Sequence, residues 1–207
     1  LVGARMLSGI VEADEAGAAF SNIADVVLEA TLAAVETEFA LTHGRVPGAR
    51  LALLGMGRLG SRELTASSDV DLILFYEHGE GIENSDGAKP LAPSAYFARL
   101  TQRLIAAMTA PMREGILYDV DFRLRPSGNK GPLATELGAF RRYQEGEAWT
   151  WERMALTRAR VVAGDPPFAS EVATGTKRRR TSRRCVSASR PASRRAGRSI
   201  SSSCRVG

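Results

Sequence analysis

The sequence predicts an α/β fold of the α+β kind, in which helices flank a small mixed or antiparallel sheet. Residues 51–55 and 70–76 are apolar runs with the length of buried strands. The first stops at a glycine, and the second is interrupted only by Asp71. Residues 116–125 alternate apolar with charged side chains, as a strand with one exposed face does. An exposed face is typical of antiparallel sheets, so the pattern argues against a doubly wound parallel sheet.

Apolar residues at helical spacing predict helices before, between and after these strands. The first helix is followed closely by Pro47 and Gly48, which prevent it from continuing. Ser94 is the expected N-cap of the second helix, and Pro111 ends it. At Gly164 a Gly-Asp-Pro-Pro segment begins, which we expect to end the ordered pattern. The predicted helices cover residues 12–41, 96–109, 137–144 and 148–162.

Charge divides the chain into an acidic body and a basic tail. The net charge of the whole sequence is +5, but residues 173–207 hold 11 Lys or Arg and no acid, which leaves the body at −6. The Arg- and Ser-rich tail cannot bury enough apolar surface to fold alone, so we expect it to be disordered. We interpret it as the frame-shifted end of a high-GC coding sequence; a natural arm that binds nucleic acid is the alternative. The expected organisation is an N-terminal helical segment (1–48), a core (49–135), a helical segment (136–172) and the tail (173–207).

Both cysteines, Cys185 and Cys204, lie in the tail, so the body has no disulfide framework and a cytoplasmic location is favoured. No run approaches 18 apolar residues and no signal peptide is recognisable, so we expect no membrane partner. Because the chain begins with Leu rather than Met, we expect it to be a fragment of a longer protein.

A glycine-rich turn follows the first predicted strand. Gly55, Gly57 and Gly60 lack Cβ atoms, so their backbone N–H groups can approach a phosphate closely. A short helix predicted over residues 58–64 would present its N-terminus to the same anion. The spacing is a weak signal by itself, and a glycine turn without a ligand is the plain alternative. A dinucleotide-binding oxidoreductase is the alternative enzyme, but it calls for a single acid after the second strand.

Carboxylates begin the second strand. Asp69 and Asp71 are two residues apart and therefore point the same way, where they repel each other unless a cation lies between them. A divalent metal is the natural partner. If the strand of residues 116–125 lies antiparallel beside this one, Asp121 completes the cluster, and Arg123 and Arg125 face a triphosphate. A solvated strand face would show the same alternation.

Three motifs carry a family resemblance: GMGRLGSRELTASSDVDLILFY, GILYDVDFRLRPSGNKGPL and EAWTWERMALTRARVVAGDP. Together they resemble the glutamine synthetase adenylyltransferases, also called glutamate-ammonia ligase adenylyltransferases, over about residues 1–172. This family is part of the nucleotidyltransferase superfamily that includes DNA polymerase beta. The superfamily pattern falls on Gly57, Asp69, Asp71 and Asp121. Arg58 departs from the usual Ser or Gly, and Ser61 departs from a usual glycine.

The resemblance implies a polymerase beta-like core that transfers AMP from ATP to a tyrosine of glutamine synthetase. The second and third motifs resemble the C-terminal, adenylylating half of the family; the half that removes AMP is the alternative. Glutamine synthetase and a nitrogen-status signalling protein are the implied partners, whereas nucleic acid is expected only if the basic tail is a binding module. The implied ligands of two Mg²⁺ ions are Asp69, Asp71 and Asp121, and the implied nucleotide-binding residues are Gly55, Gly57, Arg58, Gly60, Ser68, Arg123 and Arg125.

Overall fold

The computed structural model describes residues 1–113, 115–126, 128 and 131–177. The helices in this part of the chain are α1 (Val2–Leu7), α2 (Ala13–His43), α3 (Gly57–Ser61), α4 (Pro93–Met108), α5 (Leu137–Gly146), α6 (Thr150–Ala155) and α7 (Pro166–Lys177). The strands are β1 (Arg50–Gly55), β2 (Val70–Glu77), β3 (Val120–Asp121), β4 (Ala134–Glu136) and β5 (Arg160–Gly164).

The five strands form one mixed sheet. Its order is β3-β2-β1-β5, and β4 lies beside the later half of β2. β1 is antiparallel to both β2 and β5, whereas β3 and β4 run parallel to β2. The predicted small mixed sheet flanked by helices is therefore confirmed, and β1 and β2 match their predicted bounds to within one residue.

Apolar side chains pack on both faces of the central strands. On one face, Leu53 of β1 belongs to a buried cluster with Leu28 of α2 and Leu100 of α4. On the other face, Leu54 belongs to a second cluster with Phe168 of α7. Strands that are covered on both faces are apolar at nearly every position, which explains why these runs were recognisable in the sequence.

By length and composition alone, α2 could also cross a membrane, and no other described helix could. Its buried residues include Ala24, Leu28 and Leu32, which belong to the first core cluster. The core helix of a globular domain meets the same criterion, so packing accounts for the apolar face of α2.

The predicted strand over residues 116–125 is wrong in length and in direction. β3 is only two residues long and runs parallel to β2, not antiparallel as we expected. The chain turns immediately afterwards. The backbone N–H of Arg125 donates to the Phe122 carbonyl (3.4 Å), and Pro126 follows. A tight turn around the buried Phe122, rather than a long pleated strand, therefore accounts for the second half of the alternating pattern.

The predicted helix over residues 148–162 is divided in the structure. α6 is followed by a 3₁₀ turn over Leu156–Arg158 and then by β5. β5 pairs with the edge of β1, whose N–H and C=O groups would otherwise lack partners in the sheet. The β-branched residues Val161 and Val162 suit a strand, and the need to complete the sheet overrides the helical spacing of the preceding residues.

The start of α4 also differs from the prediction. Ala92 is the N-cap and Pro93 is the first helical residue, so Ser94 lies inside the first turn. Proline suits this position because its fixed φ is helical and its missing N–H would have had no helical partner.

We predicted that ordered structure would end at residues 164–167, but it continues beyond them. α7 follows directly, and its Phe168 and Val172 are fully buried in the second core cluster. The expected disorder is therefore wrong for residues 173–177, which are helical because the buried face of α7 anchors them. The rest of the predicted tail, residues 178–207, lies outside the described part of the chain.

Removing residues 178–207 should leave the free energy of unfolding unchanged within about 0.5 kcal/mol, because their composition offers little apolar surface to bury. Removing α7 as well should cost about 4 kcal/mol or more, because the loss of Phe168 and Val172 opens the second core cluster. Denaturant titration of the full and the two shortened chains measures both effects. A clear loss of stability on removing only residues 178–207 would contradict the expectation.

Candidate metal and nucleotide site

Three carboxylates meet where β2 and β3 lie side by side. Asp71 is opposite Asp121 in the parallel register, and Asp69 directly precedes β2. One carboxylate oxygen of each residue lies within 4.8 Å of the other two. The structure therefore brings together the three acids that the sequence indicated, although the strand carrying Asp121 runs opposite to the expected direction.

The donor chemistry of this cluster suits Mg²⁺, which prefers hard, anionic oxygen ligands. Asp71 and Asp121 are half-buried at the edge of the sheet, whereas Asp69 is exposed, so the cluster is accessible from solvent. The metal role of the three residues stays a prediction.

Burial and like charge raise the pKa of Asp71. Loss of hydration is the larger cause, and the carboxylates of Asp69 and Asp121 add to it. A half-buried carboxylate beside two others is stabilised either by a proton or by a cation. A cation bound among the three would remove this repulsion, which is the electrostatic argument for a metal at this position.

Arg123 forms an ion pair with Asp121. Its backbone N–H donates to Oδ1 at 2.7 Å, its Nε donates to Oδ2 at 2.7 Å, and its Nη2 lies 2.5 Å from Oδ2. The side-chain hydrogen bond is the main reason that the pKa of Asp121 is lowered. The Arg123 side chain is 72% exposed and that of Asp121 only 13%, so the guanidinium lies on the solvent side of the carboxylate.

Gly57 is the turn residue that touches the acid cluster. Its φ is +51°, which residues with a Cβ rarely adopt, and a Cβ there would collide with the Asp71 carboxylate. The Met56 N–H donates to the Asp71 carbonyl at 2.8 Å and fixes the turn to β2. The missing side chain thus allows the Asp71 carboxylate to lie directly against the turn. The nucleotide contact expected of Gly57 stays a prediction.

Gly55 and Gly60 serve the packing of α3. A Cβ on Gly60 would overlap the carbonyl oxygen of Arg158, and a Cβ on Gly55 would press on the side chains of Leu59 and Val162 at 2.9 Å. The two glycines therefore allow α3 to lie close to β1, β5 and the 3₁₀ turn. Their predicted contact with nucleotide stays a prediction.

α3 has five residues and is therefore shorter than the helix that we predicted over residues 58–64. It is followed by Arg62 in the left-handed conformation (φ 63°). The Arg58 Nη1 lies 3.5 Å from the Ser68 Oγ, and that Oγ also accepts the Thr65 N–H at 3.0 Å. Ser68 therefore closes the turn that leads into β2. The nucleotide contacts expected of Arg58 and Ser68 stay predictions.

Backbone carbonyls hold the side chain of Arg125. Its Nη1 donates to Phe122 at 2.6 Å and its Nε to Gly131 at 3.4 Å, and the residue is only 7% exposed. The alternation had indicated that Arg123 and Arg125 share one exposed face. In the structure Arg123 is exposed and Arg125 is buried, so that prediction is wrong. Both nevertheless border a shallow cleft of about 480 Å³ beside the acids, so their nucleotide contacts stay predictions.

Comparison with known proteins decides the family. The family model described as glutamate-ammonia ligase adenylyltransferase matches residues 1–174. The chain belongs to this family. The resemblance drawn from the three sequence motifs is therefore confirmed at the level of the family, and the match ends inside α7.

Relatives in this family share more than half of the matched residues. The chain is 59% identical over 172 residues to the bifunctional glutamine synthetase adenylyltransferase/adenylyl-removing enzymes of Mesorhizobium japonicum and Brucella suis. It is 57% identical over 171 residues to the protein of the same name from Rhizobium meliloti. Each match covers 83% of this chain but only 17–18% of the relative, so the chain spans less than a fifth of the length of these proteins.

Two arginines that support the site were not recognised in the sequence. Arg160 forms a two-pronged ion pair with Asp25 of α2 (2.7 and 2.9 Å) and donates to the Leu59 carbonyl of α3 at 3.1 Å. Arg158 pairs with Glu63 and donates to the Ser61 hydroxyl. No local signal in the sequence could find partners about a hundred residues away.

Changing Asp25 to Asn should lower the free energy of unfolding by about 2 kcal/mol, because it leaves the mostly buried Arg160 guanidinium without its counter-charge. Urea denaturation of the full chain measures the loss. Glu29→Gln, an exposed change on the same helix, is the matched control and should stay within about 0.5 kcal/mol. Equal effects of the two changes would show that the Asp25–Arg160 pair does not tie α2 to the site.

Proposed function

We propose that this chain is part of an enzyme that transfers AMP from ATP to a tyrosine of glutamine synthetase and releases pyrophosphate. The observation that carries the proposal is the cluster of Asp69, Asp71 and Asp121 beside the side-chain-free turn at Gly57. The name of the family supports the reaction class, and the names of the relatives support glutamine synthetase as the protein substrate. The chain would supply the nucleotidyltransferase core of a longer enzyme.

The carboxylate cluster and the glycine turn have separate tasks in this reaction. Asp69, Asp71 and Asp121 would hold Mg²⁺, which when bound supplies charge stabilisation at the phosphates and at the leaving pyrophosphate. Gly57 lets the Asp71 carboxylate lie directly against the turn, and the backbone N–H groups of this turn would approach the triphosphate beside the bound metal. The exposed guanidinium of Arg123 lies at the same cleft and offers forked N–H groups to phosphate oxygens.

In the transfer step, the tyrosine oxygen bonds to the α-phosphorus of ATP while the bond between that phosphorus and the pyrophosphate oxygen breaks. The phenol has a pKa near 10, so its proton needs an acceptor at neutral pH. The Asp121 carboxylate would accept this proton. The hydrogen bond from Arg123 lowers the pKa of Asp121, so the carboxylate is a weak base for as long as the ion pair lasts.

The reaction is tested in the context of the longer relative. The matching 172 residues of the Mesorhizobium japonicum protein are replaced by those of this chain, a substitution that 59% identity should allow. The chimera is incubated with unmodified glutamine synthetase and ATP labelled in the α-phosphate. We expect label on glutamine synthetase, and none when the label is in the γ-phosphate. A folded chimera that transfers no AMP but still removes it would overturn the proposed reaction.

The same chimera decides which of the two reactions named in the relatives belongs to this chain. We assign the chain to the adenylylating half, because the GILYDVDFRLRPSG and EAWTWER motifs resemble that half. The change Asp71→Asn in the chimera should then suppress attachment of AMP and leave its removal unchanged. The opposite result would assign the chain to the removing half.

We further place the reaction in the cytoplasm, under control of the nitrogen-status signalling protein that the family resemblance implies. Residues 1–172 contain no cysteine, which suits a reducing compartment. Their net charge of −6 argues against nucleic acid as a partner, because nucleic-acid binding depends mainly on cationic side chains.

A further inference from the structure

The ion pair between Arg123 and Asp121 uses the oxygens that a metal ion would need. The Asp121 Oδ2 accepts the Nε–H of Arg123 and lies 2.5 Å from its Nη2, and Oδ1 accepts the backbone N–H of the same residue. Each carboxylate oxygen has two acceptor positions. While the pair persists, Oδ2 is fully occupied and Asp121 offers a cation only the second position of Oδ1.

Arg123 also supplies positive charge to the whole cluster. The charges of Asp69 and Asp71 add to the hydrogen bond and charge of Asp121 in raising the pKa of Arg123. Arg123 contacts Asp121 directly, and the oxygens of Asp69 and Asp71 lie within 4.8 Å of the Asp121 oxygen that completes the cluster. A divalent cation would supply positive charge to the same cluster, so the guanidinium and the cation compete for the oxygens of Asp121.

We propose that Arg123 is an exchangeable counter-ion, which pairs with Asp121 in the free protein and transfers to the triphosphate when metal and ATP bind. The inference rests on the proposed function, because it assumes that the cluster receives ATP with its metal. The Arg123 side chain is 72% exposed, so it can leave Asp121 without losing buried packing. A guanidinium binds phosphate with the same forked hydrogen bonds that it makes with a carboxylate.

This exchange couples the binding of metal to the binding of nucleotide. A metal ion alone must displace the Arg123 guanidinium from Asp121 and brings no anion to replace that carboxylate. A metal ion that arrives with ATP brings phosphate oxygens that accept the released N–H groups. Metal alone therefore binds weakly and metal with nucleotide binds tightly, and the coupling is reciprocal. Arg123 is a positioning residue, since it does not take part in the bonds that form and break.

The test measures the Mn²⁺ that the full chain retains in equilibrium dialysis, which does not depend on turnover and does not count metal chelated by free nucleotide. Titrations are run with and without α,β-methylene-ATP, whose α,β bond cannot be cleaved in transfer. In Arg123→Gln, we expect free Mn²⁺ to bind about tenfold tighter and Mn²⁺ with the analogue about tenfold weaker than in the wild type, the size of one charged hydrogen bond. Arg123→Lys keeps the positive charge but cannot form forked hydrogen bonds. Its Mn²⁺ affinities should lie between those of the wild type and of Arg123→Gln in both titrations.

Two controls locate the effect. Arg103→Gln removes the same charge from the cleft between α2 and α4 and should leave both affinities within about twofold of the wild type. Asp71→Asn should weaken Mn²⁺ binding in both titrations, because it removes a carboxylate of the cluster.

The outcomes separate this inference from the proposed function. If Arg123→Gln and the wild type bind free Mn²⁺ equally and bind the analogue complex equally, the counter-ion role is overturned while the metal site stands. If the wild type binds no Mn²⁺ even with the analogue, the metal site is overturned, and both proposals fail with it.

Discussion

Changing Asp71 to Asn should reduce AMP transfer about 10²- to 10³-fold and leave the fold as stable as before or more stable. The amide keeps the shape of the side chain but loses the charge that would hold Mg²⁺ in the proposed reaction, and loss of such an electrostatic contact costs about 3–4 kcal/mol in the transition state. The carboxylate of Asp71 is destabilised by burial and by two neighbouring acids, so its neutralisation relieves repulsion in the folded protein. Loss of activity without loss of stability is the signature of a functional acid.

The same loss of activity is expected for Asn at residues 69 and 121, measured as transfer of labelled AMP in the chimera. Asp119 is the matched control, because it lines the same cleft and is exposed, but does not belong to the three-carboxylate cluster. Asp119→Asn should retain most of the activity. Similar, mild effects at all four aspartates would mean that the cluster is a solvated charged surface, and the nucleotidyltransferase proposal would have to be abandoned.

Changing Gly60 to Ala should lower the free energy of unfolding by about 3 kcal/mol, the largest effect that we expect from a single methyl group in this protein. The added Cβ would overlap the carbonyl oxygen of Arg158 and come within 2.7 Å of the Gly55 carbonyl oxygen. Both carbonyl oxygens belong to the backbone of packed segments and cannot rotate away as a side chain could. α3 would therefore have to move away from the 3₁₀ turn. That movement would also displace the neighbouring turn at Gly57.

Denaturant titration of the full chain measures this loss, with Gly146→Ala as the control. Gly146 lies in the last turn of α5, and a Cβ there would meet no atom within 4 Å. Since alanine also favours the helix, the control should be neutral or slightly stabilising. If Gly60→Ala were as well tolerated as Gly146→Ala, the close approach of α3 to the 3₁₀ turn would not be a feature of the protein in solution.

Much of the site could be predicted from the sequence because its parts are local. β1 and β2 were recognisable because strands covered on both faces are continuously apolar. Asp69 and Asp71 point the same way because they are two residues apart at the start of a strand. The positive φ of Gly57 follows from the tight turn after β1, which only a glycine forms without strain.

Other features were decided by the tertiary structure, because they depend on which distant segments meet. Residues 160–164 have no strong strand pattern, but β1 has an edge that needs hydrogen-bonding partners, and β5 supplies them. The sequence did not predict α7, because the helix depends on the burial of Phe168 in the second core cluster.

The sequence by itself determined the family, the glycine turn and the three acids Asp69, Asp71 and Asp121, since each can be recognised from a short, continuous segment. Only the tertiary structure decided that Asp121 reaches the pair from a two-residue parallel strand, and that Gly60 serves packing. It also decided that Arg160 ties α2 to α3 rather than binding solvent. The physical reason is that spacing along the chain fixes which side chains share a face, whereas strand direction and ion-pair partners depend on hydrogen bonds and packing between segments that are far apart in sequence.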